Sequence, residues 1–268
     1  MAGARERARH AGRLARRSGS PTRTRANLLV VLLHGLTCHL GYWLRVVPLL
    51  TGVRTIAVDF RGHGLSAHCA SYRYDDYERD LLSLLGELRV DRVAVAGHSL
   101  GGYVGLLAAA RSDRIERVLA IDVKSDWTEA DAALAERSSA ATQRVQEDRA
   151  ALLDRLARSL GRVELSADEM EVLAERSIEP ADGGWRFRWD RRVLASEPVD
   201  PFSFLDRVRC PVTVLAGAES DVMPPERARD FAGAVSGASV EIAAGVGHHV
   251  ELEAPELVAE RILQLART

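Results

Sequence analysis

Lysine is almost absent from this 268-residue chain: Lys124 is the sole lysine among 36 basic residues, and every other cation is arginine. A compositional bias toward arginine is the simplest reading, because 38 acidic residues leave a formal net charge of −2. So balanced a charge gives no electrostatic footprint for nucleic acid or an anionic membrane. Cysteine is scarce as well. Cys38, Cys69 and Cys210 are odd in number, widely spaced and without a CxxC pair, which argues against a disulfide framework and against a zinc site. No segment approaches the ~20 consecutive apolar residues of a membrane span. The opening "MAGARERARHAGRLARRSGSPTRTRA" has no apolar stretch of the kind a secretory signal needs, and Arg16-Arg17 is followed by Ser-Gly-Ser-Pro, unlike a twin-arginine signal. Residues 1–26 are therefore expected to form a solvated, largely disordered Arg-rich tail rather than an interaction arm, on a cytoplasmic protein.

What the chain does have is a 47% hydrophobic content, in a length that suits one α/β domain with an insertion. From Asn27, "NLLVVLLHG" is a continuous apolar run ended by glycine, too short for a core helix and typical of a strand buried on both faces. Residues 55–58 form a second such run, ending at Asp59 and a loop with two glycines. In "YDDYERDLLSLLGEL" the apolar residues Tyr77, Leu81, Leu84, Leu85 and Leu88 recur at helical spacing. "RVAVAG" then reads as a strand, "LGGYVGLLAAAR" as a helix and "IERVLAIDV" as a strand. Strands alternating with helices imply parallel pairing, with loops gathered at the C-terminal edge of the sheet, where ligands bind. Between residues 124 and 201 the alternation stops and the sequence becomes charged and helical, so that segment reads as an insertion. Strand and helix patterns resume in "PVTVLAG", "ERARDFAGAV", "ASVEIAAG" and "PELVAERILQLA".

One of these strand ends carries chemistry. Gly97-His98-Ser99-Leu100-Gly101 matches GxSxG directly after a buried strand and directly before a helix. The bland alternative is a serine in a glycine-rich turn. A serine hydroxyl is a weak nucleophile unaided, so the catalytic reading requires an imidazole to take its proton and a carboxylate to orient that imidazole. Asp221, past "PVTVLAG", and His248, past "ASVEIAAG", lie in loops on the same sheet edge. Asp122, at the end of "VLAIDV", competes with Asp221, and His249 competes with His248.

With "LLHGL", "DFRGHGLS", "GHSLGG", "GAESDVMP" and "GVGHHVELEAPELV" in this order, the chain resembles an α/β-hydrolase-fold protein of the serine esterase or thioesterase branch, over residues 27–268. The resemblance implies a mostly parallel central sheet flanked by helices, a core of residues 27–123 and 202–268, and a helical cap at 124–201. It also implies a Ser99, Asp221, His248 triad, with Asp122 structural, and an oxyanion hole made by the backbone N–H groups of Leu36 and Leu100. His34 and His98 would orient or pack, and His63 and Asp59 would stabilise the "DFRGHG" loop; His39 and Arg45 have no assigned role. Many relatives begin with two or more strands before the His-Gly strand, whereas only 26 residues precede it here, so the strand count is open.

In "WRFRW", Trp185, Phe187 and Trp189 alternate and would share one face of an extended segment. Trp185 and Trp189, with Trp127 at the start of the insertion, either line a substrate pocket favouring an apolar acyl or aryl group or pack the cap onto the core. The expected activity is hydrolysis of a carboxylic ester or thioester of a small molecule, with no metal or organic cofactor. Hydrolysis of a C–C bond, lactone or amide, and non-hydrolytic acyl transfer or cyclisation, are the alternatives the same residues host. A non-catalytic ligand-binding receptor is the alternative of a different class. Aspartate-nucleophile relatives, the epoxide hydrolases and haloalkane dehalogenases, are disfavoured by Ser99.

Overall fold

The structure is a computed structural model that describes residues 28–141, 143–196 and 198–267. The expected tail, residues 1–26, lies outside the described residues. Among the described residues eight strands follow in chain order: β1 (Leu29–Leu33), β2 (Thr55–Val58), β3 (Val93–His98), β4 (Ile115–Ile121), β5 (Ile178–Ala181), β6 (Gly184–Phe187), β7 (Val212–Gly217) and β8 (Ser239–Ala243). Eight α-helices accompany them: α1 (Tyr74–Glu87), α2 (Leu100–Arg111), α3 (Glu129–Ala140), α4 (Arg149–Ser159), α5 (Ala167–Ser177), α6 (Pro225–Gly233), α7 (Val250–Glu253) and α8 (Pro255–Ala266).

Six strands form one parallel sheet in the order β2-β1-β3-β4-β7-β8, with Leu29 beside Val93, Ile121 beside Leu215 and Gly217 beside Ala243. Alternate residues serve two cores, as the two-residue period of a strand requires. Leu29, Val31, Leu33, Val93, Val95 and Val118 pack against α1, α2 and α6, whereas Val30, Leu32, Ala94, Ala96, Leu119 and Ile121 pack against Trp43 and α8. Burial on both faces is why these strands appear in the sequence as unbroken apolar runs, each full-sized side chain contributing roughly 1.5–3 kcal/mol. The parallel register puts the ends of β3, β4, β7 and β8 side by side, so the loops after them converge on one edge.

The chain between β4 and β7 is helical as expected, but it also holds an antiparallel hairpin, β5 with β6, that the charged helical pattern did not reveal. Its long helical stretch is split: α3 and α4 are separated by an extended segment in which Gln146 pairs with Trp185. The helix starts are local. Thr128 with Asp131, and Ser166 with Glu169, form capping boxes, and Asp148 caps α4. Leu152, Leu156, Leu160, Leu173, Ile178 and Phe187 make an apolar cluster that also takes in Cys38, Tyr42 and Leu252 of the main domain. Among the described residues no helix is long and apolar enough to cross a membrane.

Candidate active site

Ser99 stands between β3 and α2 with φ 50° and ψ −116°, a conformation a non-glycine residue adopts only when its surroundings hold it there. Its N–H donates to the carbonyl of Ile121 at 2.7 Å. The two flanking glycines are steric requirements: a Cβ on Gly97 would collide with the backbone of Gly101, and one on Gly101 with the carbonyl of Leu33. The elbow is thus a tight strand-to-helix turn held from both sides.

At the end of the next strand, Asp122 also has a positive φ, 48°, and its N–H donates to Leu215 O at 2.7 Å. Its carboxylate is fully buried and accepts three hydrogen bonds: from Gly217 N–H at 2.9 Å, from Ser220 Oγ at 2.5 Å and from His248 Nδ1 at 2.6 Å. With Nδ1–H committed to the carboxylate, the neutral His248 ring carries its lone pair on Nε2, the tautomer a general base needs.

The expectation that Asp221 faces the histidine is corrected by this geometry. Asp221 is exposed, and among the described residues no hydrogen bond joins it to His248. The loop after β7 instead turns a hydroxyl inward: Ser220 Oγ donates to Asp122 while accepting from the N–H groups of Val222 and Met223, at 3.1 and 3.3 Å. Asp122, expected to be structural, occupies the place expected of Asp221. The signal that could have found it was present: an aspartate ending a buried strand next to the serine strand.

Ser99, His248, Leu36, Leu100, Lys124 and Trp127 border one cavity of about 200 Å³. Leu100 is the first residue of α2, where a helix leaves N–H groups without an intrahelical partner. Leu36 follows Gly35 in the loop after β1, beside Thr37, whose φ is 62°. Trp185 and Trp189 do not border this cavity. Trp185 lies under the Arg149 guanidinium at 5.7 Å, and Trp189 stacks on Phe187 at 6.1 Å and also packs against the main core.

Burial keeps His34, His63 and His98 neutral beside the site. His34 donates from Nδ1 to Gly35 O at 2.7 Å and accepts from Phe60 N–H at 3.0 Å, and burial pushes it down to about 4. His63 bonds to Arg61 O at 2.9 Å, and burial lowers it to about 3. Asp59 accepts from the N–H groups of Leu40 and Leu65, tying the "DFRGHG" loop to the loop after β1. His98 Nε2 donates to the carbonyl of His248 at 3.0 Å, and burial, aided by the neighbouring His248 and His249, holds it well below its ordinary value. Buried Glu251 lies 3.2 Å from His249 Nδ1 and 3.4 Å from His98 Nδ1. Burial works against a charge on His249, yet the Glu251 carboxylate holds it above the usual value. His98, His249 and Glu251 are the described residues whose ligand atoms come close enough together, within 4.8 Å, to hold a cation. His98 ties the cluster to the His248 carbonyl and His249 to Glu251, while His98 Nδ1 and Glu251 Oε2 have no hydrogen-bond partner among the described residues.

A family model described as the alpha/beta hydrolase family matches residues 30–261. The chain belongs to this family. Esterase YbfF of Escherichia coli is 28% identical over 246 residues, 88% of this chain and 92% of that protein. A 2-(acetamidomethylene)succinate hydrolase of Mesorhizobium japonicum is 30% identical over 246 residues, covering 87% and 86%. The solved structure of E-2-(acetamidomethylene)succinate hydrolase superposes with a TM-score of 0.79 at 25% identity, over 94% of this chain and 93% of that one. The thioesterase domain from the curacin biosynthetic pathway shares the fold, with a TM-score of 0.77 at 22% identity, over 94% and 100%.

In this alpha/beta hydrolase the insertion docks through residues to which the sequence assigned no role. Arg45 grips Glu169 through two hydrogen bonds of 2.7 and 2.9 Å and also donates to Leu252 O and Glu164 O. His39 reaches α5 through Leu173 O and Ser177 Oγ, while Arg176 of α5 pairs with Asp59 at 3.0 Å. None of these partners is near in sequence, and that is why no local pattern announced them.

Proposed function

We propose that this alpha/beta hydrolase cleaves a carboxylic ester or thioester of a small molecule through an acyl-enzyme, with Ser99 as nucleophile, His248 as general base and acid, and Asp122 orienting the imidazole. The observation that carries this reading is the 2.6 Å contact between His248 Nδ1 and the buried Asp122 carboxylate, at a cavity that Ser99 and His248 share. Ser99 Oγ adds to the carbonyl carbon as its proton passes to His248 Nε2. The backbone N–H groups of Leu36 and Leu100 receive the oxyanion, each such donor being worth about 3 kcal/mol of barrier. Collapse expels the alcohol or thiol, protonated by His248, and a water activated by the same nitrogen then releases the acid. Asp122, buried and held by three hydrogen bonds, orients the imidazole and stabilises the imidazolium as it forms.

The insertion serves as a cap, with Trp127 at its entry forming part of the pocket wall. Relatives named as an esterase and as a hydrolase support cleavage at a carbonyl. A fluorophosphonate probe is expected to label Ser99 in the folded protein and to lose that labelling in Ser99→Ala, alongside turnover of p-nitrophenyl esters or acyl thioesters. Folded wild-type protein that is neither labelled nor active would overturn the assignment.

A further inference from the structure

Lys124 is the one lysine of the chain, and it stands at the wall of the Ser99 cavity. Its Nζ lies 3.1 Å from Asp131 Oδ1 and 5.2 Å from the centre of the Trp127 ring. An ammonium has three donors, and Asp131 is its sole hydrogen-bond partner among the described residues. Asp131 is itself engaged by the capping box of α3, with Thr128 N–H and Oγ1 both on Oδ2. The lysine is therefore held at the cavity rim by a carboxylate already satisfied on its other oxygen, and both side chains are about 30% exposed.

Apart from Lys124, Ser99 and His248, the wall is mainly apolar, with Leu36, Leu100, Val222 and aromatic rings. Tyr103 Oη and Trp127 Nε1 are buried donors without a partner among the described residues, and both residues border the cavity. No aspartate or glutamate borders it. The nearest other carboxylate on the loop, Asp126, is taken by Arg227 at 3.1 Å. A cavity wall whose cation uses one of its three donors on Asp131, and that holds no bordering carboxylate, can receive a ligand that brings acceptors and negative charge.

We propose that Lys124 is a specificity-determining residue that receives a carboxylate carried by the substrate remote from its scissile carbonyl, so that the preferred substrates are anionic half-esters or thioesters of small dicarboxylic acids. This rests on the hydrolase reading for the scissile step alone; the carboxylate site stands on its own residues. Two readouts separate them.

The first is the ratio of kcat/KM for mono-p-nitrophenyl glutarate over p-nitrophenyl valerate, a pair matched in chain length. Wild type is expected to favour the anionic ester at least tenfold, Lys124→Met to bring the ratio near one, and Lys124→Arg to retain most of it. Asp131→Asn, which frees the ammonium but keeps an oxygen for the helix cap, is expected to hold or raise the ratio. If Lys124 served merely to tie down α3, Asp131→Asn and Lys124→Met would act alike and the ratio would not move, which contradicts the proposal. The second readout is calorimetric titration of glutarate into Ser99→Ala protein, where no turnover is needed. Saturable binding weakened tenfold or more by Lys124→Met supports the site, even if neither ester is cleaved and the hydrolase reading fails. Absence of glutarate binding, binding indifferent to Lys124→Met, or uptake of inorganic phosphate in place of glutarate overturns it.

Discussion

At the scale of single residues, the arrangement turns on how many donors one buried carboxylate keeps. Asp122 has three, and Ser220 Oγ is the shortest of them at 2.5 Å. Removing it with Ser220→Ala strips a charge-assisted hydrogen bond, of a kind worth roughly 1.5–3 kcal/mol, from the group that orients His248. Ester turnover is expected to fall about tenfold, with fluorophosphonate labelling slowed by a similar factor; turnover unchanged in a folded variant would mean that Gly217 and His248 suffice. Ser99 and the glycines around it were legible in the sequence because the elbow is built from neighbours in the chain. The acid was not, because Asp122 and Asp221 each end or follow a buried strand, and the choice depends on which way the loop after β7 turns. That loop places Ser220 inward and Asp221 in solvent, a three-dimensional decision with no local signature.

At the scale of elements, β1, β3 and β7 were readable because burial on both faces writes itself as apolar runs, and α1 because its apolar stripe recurs at helical spacing. The β5–β6 hairpin was hidden: Ile178–Ala181 contains a proline and a glutamate, and its pairing depends on the Asp182-Gly183 turn and on Gln146 crossing to Trp185. Docking of the insertion was equally invisible, since Arg45 and Glu169 are 124 residues apart. The Arg45 guanidinium holds Glu169 down to about 2, aided by the Ser166 N–H at the head of α5. Replacing it by Arg45→Met is expected to cost about 2 kcal/mol and to lower the melting midpoint by about 4–8 °C. A midpoint that does not move would show that the apolar cluster alone seats the insertion.

At the scale of the whole molecule, the buried neutral histidines make stability pH-dependent with a definite sign. His34, at about 4, and His39 and His63, each at about 3, all lie below an unfolded imidazole near 6.5, chiefly because of burial. The unfolded chain therefore takes up protons that the native state refuses. Their stabilising contribution is complete above pH 6.5, declines as the pH falls and is gone below about 3. His98 is likewise held well below its ordinary value by burial, so near pH 5 four protons are in play, a slope of about 5 kcal/mol per pH unit at most. His249, raised by Glu251, acts above pH 6.5 and leaves this window alone. Denaturant unfolding followed from pH 7 to pH 4.5 is expected to show a steep loss of stability; a flat profile would place these imidazoles in contact with water.

The proposed catalysis depends on the carboxylate behind His248, and parallel kinetics of Asp122→Asn and Asp221→Asn on one activated ester test this most directly. Asp122→Asn is expected to lower kcat by about 10⁴-fold, the cost of stabilising the wrong imidazole tautomer, while Asp221→Asn changes it less than tenfold. The reverse order, with Asp221 essential and Asp122 dispensable, would contradict it.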